Sequence, residues 1–322
     1  MKLSDKYILI VSVLLLFSAI TTVNIFAQEE PEVLPENLGN HKFMNNSTIG
    51  TAFTNTHYKS LLGAGMTLGL EIPPIVINNK PVAQLNGDIA YTNLFFEYQQ
   101  EIKDWMAFYG AVKLIGRLGT KTGALISTGV NLAAGYNLGW KFRVFRNKNM
   151  VLSSNLNLAN ISYTAVDMQR FIQNVIDSGK ITPDNKLVQS VPLVRGGVGL
   201  NYAYAINETF GVQARLYVDY GESVSREDDD VFNYAYGASF EADLNPKLKV
   251  PLGFLAGFYH SSVPQFREQP KSNPNELLFQ INYTGKEYIS IGAEINYQWY
   301  KPEKFESSIK FITASLNSTI YF

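Results

Sequence analysis

The chain has 322 residues, with 27 Lys and Arg against 28 Asp and Glu, for a net charge of −1 at neutral pH. So even a balance leaves no basic footprint for nucleic acid, and no nucleic-acid partner is expected. With no Cys there is neither a disulfide framework nor a Cys to carry a lipid at a mature N-terminus.

In chain order, Lys2 and Lys6 precede an apolar run over 7–20, and Ala27 followed by Gln28 is a plausible cleavage point. Residues 1–27 therefore read as a secretory signal peptide. Residues 28–58 are polar, include Pro31 and Pro35, and show little periodicity, as expected of a periplasmic tail or a plug. From residue 59 to 322 the chain resolves into about twelve alternating segments, each roughly the ten or so residues that a tilted strand needs to cross a bilayer. They fall near 60–71, 87–100, 105–117, 131–145, 150–164, 190–205, 209–220, 231–243, 250–261, 276–284, 287–300 and 308–322. Strand side chains alternate between faces. In the seventh segment this sets Val212, Ala214, Leu216 and Val218 on an apolar face and Gln213, Arg215 and Asp219 on a polar one.

The connections sort by parity. Those at 101–104, 146–149, 207–208, 245–249 and 285–286 are short, and those at 71–86, 165–189, 221–230 and 262–275 are longer. A soluble sandwich has no reason to alternate in this way. In the longest, Met168, Phe171, Ile172, Val175 and Ile176 stand at helical spacing and predict a short amphipathic helix near 166–178. The acidic run of Glu227, Asp228, Asp229 and Asp230 reads as a solvated loop face.

The last strand closes on an aromatic residue: Phe322 and Ile320 share a face with Leu316, Ala314 and Ile312. This terminus resembles the assembly signal of Gram-negative outer-membrane β-barrels. The resemblance is to a superfamily and marks no subfamily. It implies an all-β fold, an antiparallel transmembrane β-barrel of about twelve strands at 59–322 with the short helix in an extracellular loop. It also implies residence in the bacterial outer membrane, contact with its lipid and lipopolysaccharide, and handling by the barrel assembly machinery.

In such a barrel the polar faces line the lumen. That places Lys113, Arg117, Lys141, Arg143, Arg195 and Arg215 on the third to seventh strands, and Asp219, Glu241, Asp243, Glu276 and Glu294 on the seventh to eleventh, with Glu97 on the second strand as an exception. Basic and acidic walls facing each other would orient and filter polar solutes, so passive passage of a small solute is the favoured function. A structural barrel filled by paired charges is the alternative.

Signals for an enzyme are few. His41, His57 and His260 are the three histidines and show no metal-ligand spacing. The glycines at 63, 65 and 69 miss the dinucleotide fingerprint and read as strand glycines, so no cofactor is expected. The stretch Tyr259-His260-Ser261-Ser262 resembles, in its His-x-Ser spacing, outer-membrane phospholipases and lipid A deacylases, which act from the lipid-facing side. On that resemblance His260 and Ser262 are candidate base and nucleophile, with Asn275 as the residue that orients His260. Val263-Pro264 stands where the phospholipases usually carry Asn-Gly.

Overall fold

A computed structural model of the chain describes residues 36–69, 71–77, 80–86, 88–119, 131–166, 188–222, 230–263, 273–301 and 308–322. The expected signal peptide, the helical spacing from Met168 to Ile176, and Glu227, Asp228 and Asp229 lie outside them.

Two short strands come first, β1 (Asn37–Leu38) and β2 (His41–Lys42), joined by a tight turn in which Gly39 and Asn40 both take positive φ. That pair of left-handed residues is the preferred chemistry of a two-residue hairpin turn. β3 (His57–Leu68) follows, and then β4 (Glu71–Ile77) and β5 (Lys80–Asn86), which pair only with each other. The remaining strands are β6 (Ile89–Lys103), β7 (Met106–Gly119), β8 (Asn131–Arg146), β9 (Met150–Val166), β10 (Val188–Ala205), β11 (Phe210–Gly221), β12 (Val231–Asp243), β13 (Leu252–Ser261), β14 (Asn275–Lys286), β15 (Ile289–Tyr300) and β16 (Ile309–Tyr321).

β3 and β6 to β16 form one closed antiparallel barrel of twelve strands. The seam is made by β16 and β3, in register from Tyr321 opposite His57 to Lys310 opposite Leu68. Closure leaves no strand edge with unpaired backbone groups. The hairpin β4–β5 occupies a stretch expected to be loop. Pro73 and Pro74 fall where the pairing slips, between Ile72 and Ile75.

The connections at 104–105, 147–149, 206–209, 244–251 and 287–288 all lie at one end, termed the turn end, where Phe322 N–H also donates to Thr56 O at 3.2 Å. The longer connections lie at the other, loop end. The one described helix, α1 (Asn245–Leu248), sits in a turn-end connection, with Pro246 near its start and Lys249 closing it at φ 58°.

Alternation decides which side chains face the bore. In β12, Phe232, Tyr234, Tyr236 and Phe240 are exposed outside, whereas Asn233, Ser239, Glu241 and Asp243 are buried inside. The seam strand β16 does the same, with Leu316 and Ile320 outside and Thr313, Ser315, Asn317 and Thr319 inside.

Candidate functional site: a plugged lumen

Residues 36–56 run inside the barrel. They enter and leave at the turn end and turn over at a tip near Ser47 to Gly50. At the turn end Lys42 Nζ donates to the carbonyls of Lys286 and Ile289, and Thr54 Oγ1 donates to Asp104 O at 2.8 Å. Asn46 builds the tip: its Oδ1 accepts the N–H groups of Thr48 at 3.1 Å, Ile49 at 2.6 Å and Gly50 at 3.3 Å, and Gly50 takes φ +77°. A short amide side chain commonly stabilises a turn in this way.

Two apolar anchors seat the plug. Phe43 packs on Phe53, with ring centroids 5.6 Å apart, in a cluster with Leu38, Ala52, Val151, Ala203 and Ala205. Met44 meets Leu255 and Leu278. The other contacts are polar and come from the barrel wall. Met44 N–H donates to Glu241 Oε2 at 2.7 Å, and Gln213 Nε2 donates to Met44 O at 3.0 Å. Ser47 donates its N–H to Glu294 Oε2 at 3.2 Å and its hydroxyl to Oε1, while Thr48 Oγ1 donates to Glu276 at 2.6 Å. Lys59 Nζ holds Asn45 Oδ1 at 2.9 Å together with the Asn46 carbonyl. Lys141 Nζ reaches Thr51 O at 3.0 Å and Phe53 O at 3.3 Å, and Gln99 Nε2 reaches Phe53 O and Asn55 O. Among the plug's own ionisable groups, burial pushes the Glu36 carboxyl up and holds the His41 imidazole down at about 4, so His41 is neutral at ordinary pH.

This arrangement revises several expectations for lumen-lining charges. Lys141, Glu241 and Glu294 do face inward, but they hold the plug rather than a water-filled bore. Gln213, expected to enter an open polar lumen, is wholly buried between Met44 and Glu241. Asp243 is buried at the turn end, accepting from Thr284 Oγ1 at 2.7 Å and Asn245 N–H at 3.1 Å. Arg143 sits at the turn-end rim on the exposed Asp104, at 2.7 Å. Arg195 and Asp219 bond each other, with Nε to Oδ1 at 2.7 Å, and Arg195 also donates to Gly221 O at 3.0 Å and Val231 O at 2.7 Å. That pair clamps the loop-end wall. The side chain of Arg117 lies outside the described residues.

Above the tip the bore stays accessible. Lys113 points inward from mid-β7 and is nevertheless exposed. Four inward tyrosines lie flat on the wall over glycines of the neighbouring strand: Tyr91 over Gly65, Tyr217 over Gly197 and Tyr259 over Gly237 in the bore, and the buried Tyr109 over Gly139 beside the plug, its ring 5.9 Å from Lys141 Nζ. A Cβ at Gly139 would stand 2.6 Å from the Tyr109 hydroxyl, and one at Gly197 would overlap the Tyr217 ring. Glycine in a strand often marks such a close approach. Here it keeps four large rings along the wall instead of across the bore. Gly63, Gly65 and Gly69 thus belong to β3 and its end, with no phosphate loop.

Outside, the barrel presents Leu62, Leu156, Val198, Leu216 at 60% exposure, Phe240, Phe279, Ile291, Ile295 and Leu316 at 67%, spread over eight of its strands. A soluble protein does not leave an apolar surface of that extent in water. Only a closed barrel or a helix can sit in lipid with its backbone groups satisfied. The chain is a membrane β-barrel.

On the outer face of this membrane barrel, His260 Nδ1 lies 2.9 Å from Asn275 Oδ1, across paired positions of β13 and β14. The imidazole packs beside Tyr236 and Tyr234, with centroids 5.1 and 6.1 Å away. Ser262 Oγ accepts from Tyr234 N–H at 2.8 Å. The structure therefore brings His260 and Asn275 together as expected and leaves the Ser262 hydroxyl on a backbone amide. No group of His, Asp or Glu suited to hold a metal ion occurs among the described residues.

No protein-family model matches the chain, and no curated protein matches it. Among solved structures the chain is similar to several at low identity. The toluene transporter TodX of Pseudomonas putida is 12% identical over 83% of this chain and 90% of its own, with a TM-score of 0.41. The KdgM porin is 6% identical over 82% and 99%, with a TM-score of 0.43. A Pseudomonas aeruginosa FadL homologue is 10% identical over 91% and 96%, with a TM-score of 0.46.

Proposed function

We propose that the protein is a plug-gated channel of the bacterial outer membrane that passes a small solute. The observation that carries this reading is the division of the lumen: an upper bore with Lys113 exposed and Tyr91, Tyr217 and Tyr259 half-buried on its wall, over a plug held by hydrogen bonds and two apolar anchors. A barrel kept only for structure gains nothing from laying its inward rings against the wall. A plug held without covalent bonds can shift and reseat. Single-channel recording of the purified protein in a planar bilayer is the test. Discrete, low-conductance openings are expected. Inserted protein that passes no ions, with or without its plug, removes the channel reading.

Outer-membrane residence rests on the barrel and on the apolar outer face that ends at Ile320 and Phe322, the latter 55% exposed beside the turn end. Removing Phe322 should lower the amount of inserted protein and raise the periplasmic aggregate. Unchanged amounts of heat-modifiable, membrane-inserted protein would show that this residue does not direct assembly.

A second reading draws on the hydrogen bond between His260 and Asn275. With Asn275 accepting from Nδ1–H, and with Ser262 brought to His260 from its present bond to Tyr234 N–H, Nε2 would take the Ser262 proton as its oxygen attacks a lipid ester and would return that proton to the alcohol that leaves as the ester bond breaks. Phospholipid hydrolysis lost in both His260→Ala and Ser262→Ala would establish it. Equal release of fatty acid by the intact protein and both variants would exclude it.

A further inference from the structure

The plug divides the inward charges unevenly. Six inward carboxylates of the described barrel wall have a close partner. Glu97 bonds His57 at 3.2 Å, Asp219 bonds Arg195, Glu241 takes Met44 and Gln213, Asp243 takes Thr284, Glu276 takes Thr48, and Glu294 takes Ser47. Three of these acids are thus occupied by plug residues at or just below the tip. The inward cations Lys59 and Lys141 are likewise spent on plug carbonyls, and Arg195 on the wall.

Two cations remain. Among the described residues, no hydrogen bond or ion pair reaches Lys113 Nζ, and Glu276 and Glu294 act on it only at longer range. Arg215 gives the plug one long bond, Nη1 to Thr48 O at 3.3 Å, and lies 5.0 Å over the Tyr217 ring. Its Nε is buried without a partner. A buried donor left unmade costs free energy that a ligand can recover.

From this imbalance we infer that the bore above the plug is a binding site for a small organic anion, a carboxylate-bearing solute held by Lys113 and Arg215. This rests on the channel reading and specifies its solute class. The carboxylates nearest Lys113, Glu276 and Glu294, turn oxygens to the hydroxyls of the plug tip and make no direct bond to either cation. Guanidinium and ammonium donors bind a carboxylate through charge-assisted hydrogen bonds, which are stronger than neutral ones. In a narrow, partly desolvated bore that preference is less screened than in bulk water.

The test uses the full barrel purified in detergent, with gluconate as the charged probe and glucose as an uncharged probe of similar size. Equilibrium dialysis should show saturable gluconate binding, with glucose weaker by about tenfold, the equivalent of about 1.4 kcal/mol. Lys113→Gln should weaken gluconate by a similar factor while leaving heat-modifiable mobility intact, since Lys113 holds no plug residue. The paired change of Ser47→Ala and Thr48→Val, which uncovers Glu294 and Glu276, should also weaken it. Equal binding of gluconate and glucose, or binding unaffected by Lys113→Gln, overturns the inference. Bilayer recording separates the two ideas. Currents without anion preference or gluconate binding leave the channel standing and remove the anion site. Saturable gluconate binding lost in Lys113→Gln, in a barrel that passes no current, supports the site and removes the channel.

Discussion

A chain lacking residues 37–54 should carry roughly ten times or more the single-channel current of the intact protein, because the lower lumen would pass from filled to open. In the intact barrel that volume holds Phe43, Met44, Ala52 and Phe53, all buried, together with a backbone stitched to Gln99, Lys141 and Gln213. Ions have no straight path through it. The deletion spares Asn55, Thr56 and all of β3, so the wall can still close. Retained heat-modifiable mobility would show that it has. The deletion frees Lys59 and Lys141 as well as Glu241, Glu276 and Glu294, so the enlarged pore should show little preference between cations and anions. Equal conductance of the shortened and intact proteins would mean that passage does not run past the plug, and a side exit through the wall would have to be sought.

Leu216→Arg should destabilise the inserted barrel by about 2–4 kcal/mol, the cost of a cation facing lipid near mid-membrane. Leu216 lies at the middle of β11, between Leu200 on β10 and Tyr236 on β12, both exposed on the same outer face. The inward control is Lys113→Gln, which removes a charge from an accessible bore and should change stability by far less. Gln213 is unsuited to that role, since its amide joins Met44 to Glu241. Urea unfolding of the two variants in bilayers makes the comparison, and equal losses would mean that the faces have been assigned the wrong way round.

The strands were readable because lipid on one side and a polar bore on the other impose a period of two, and that period survives in Leu216 and Gln213 as in Leu316 and Asn317. Loop parity was readable because only one end needs tight turns. The plug was ambiguous for a physical reason. Wall groups surround residues 36–56 on all sides, so Glu36, Phe43, Asn46 and Thr51 are buried alike and no apolar rhythm results. One local signal was available: Leu38-Gly39-Asn40-His41 reads as a two-residue hairpin turn, which a mere tail has little use for. The fate of each inward charge was beyond sequence reasoning, because the register between plug and wall decides it. Lys141 and Lys113 sit on neighbouring paired strands with the same parity, yet one is spent on Thr51 and Phe53 and the other bonds no plug residue. The pairing of His260 with Asn275 was within reach, since both extend the outer parity of neighbouring strands on either side of one connection.

The seam between β3 and β16 joins two parts of the chain that are far apart in sequence, and the plug is tethered immediately before β3. Contacts of such separation form late, after the loop between them has been closed at an entropic cost. The plug must therefore be threaded before or as the cylinder zips shut, because Thr56 is tied to Phe322 at the finished joint. The plug is enclosed by the same event that completes the wall, and its hydrogen bonds to β11, β12 and β15 tie it to strands on the carboxyl-terminal side of the barrel.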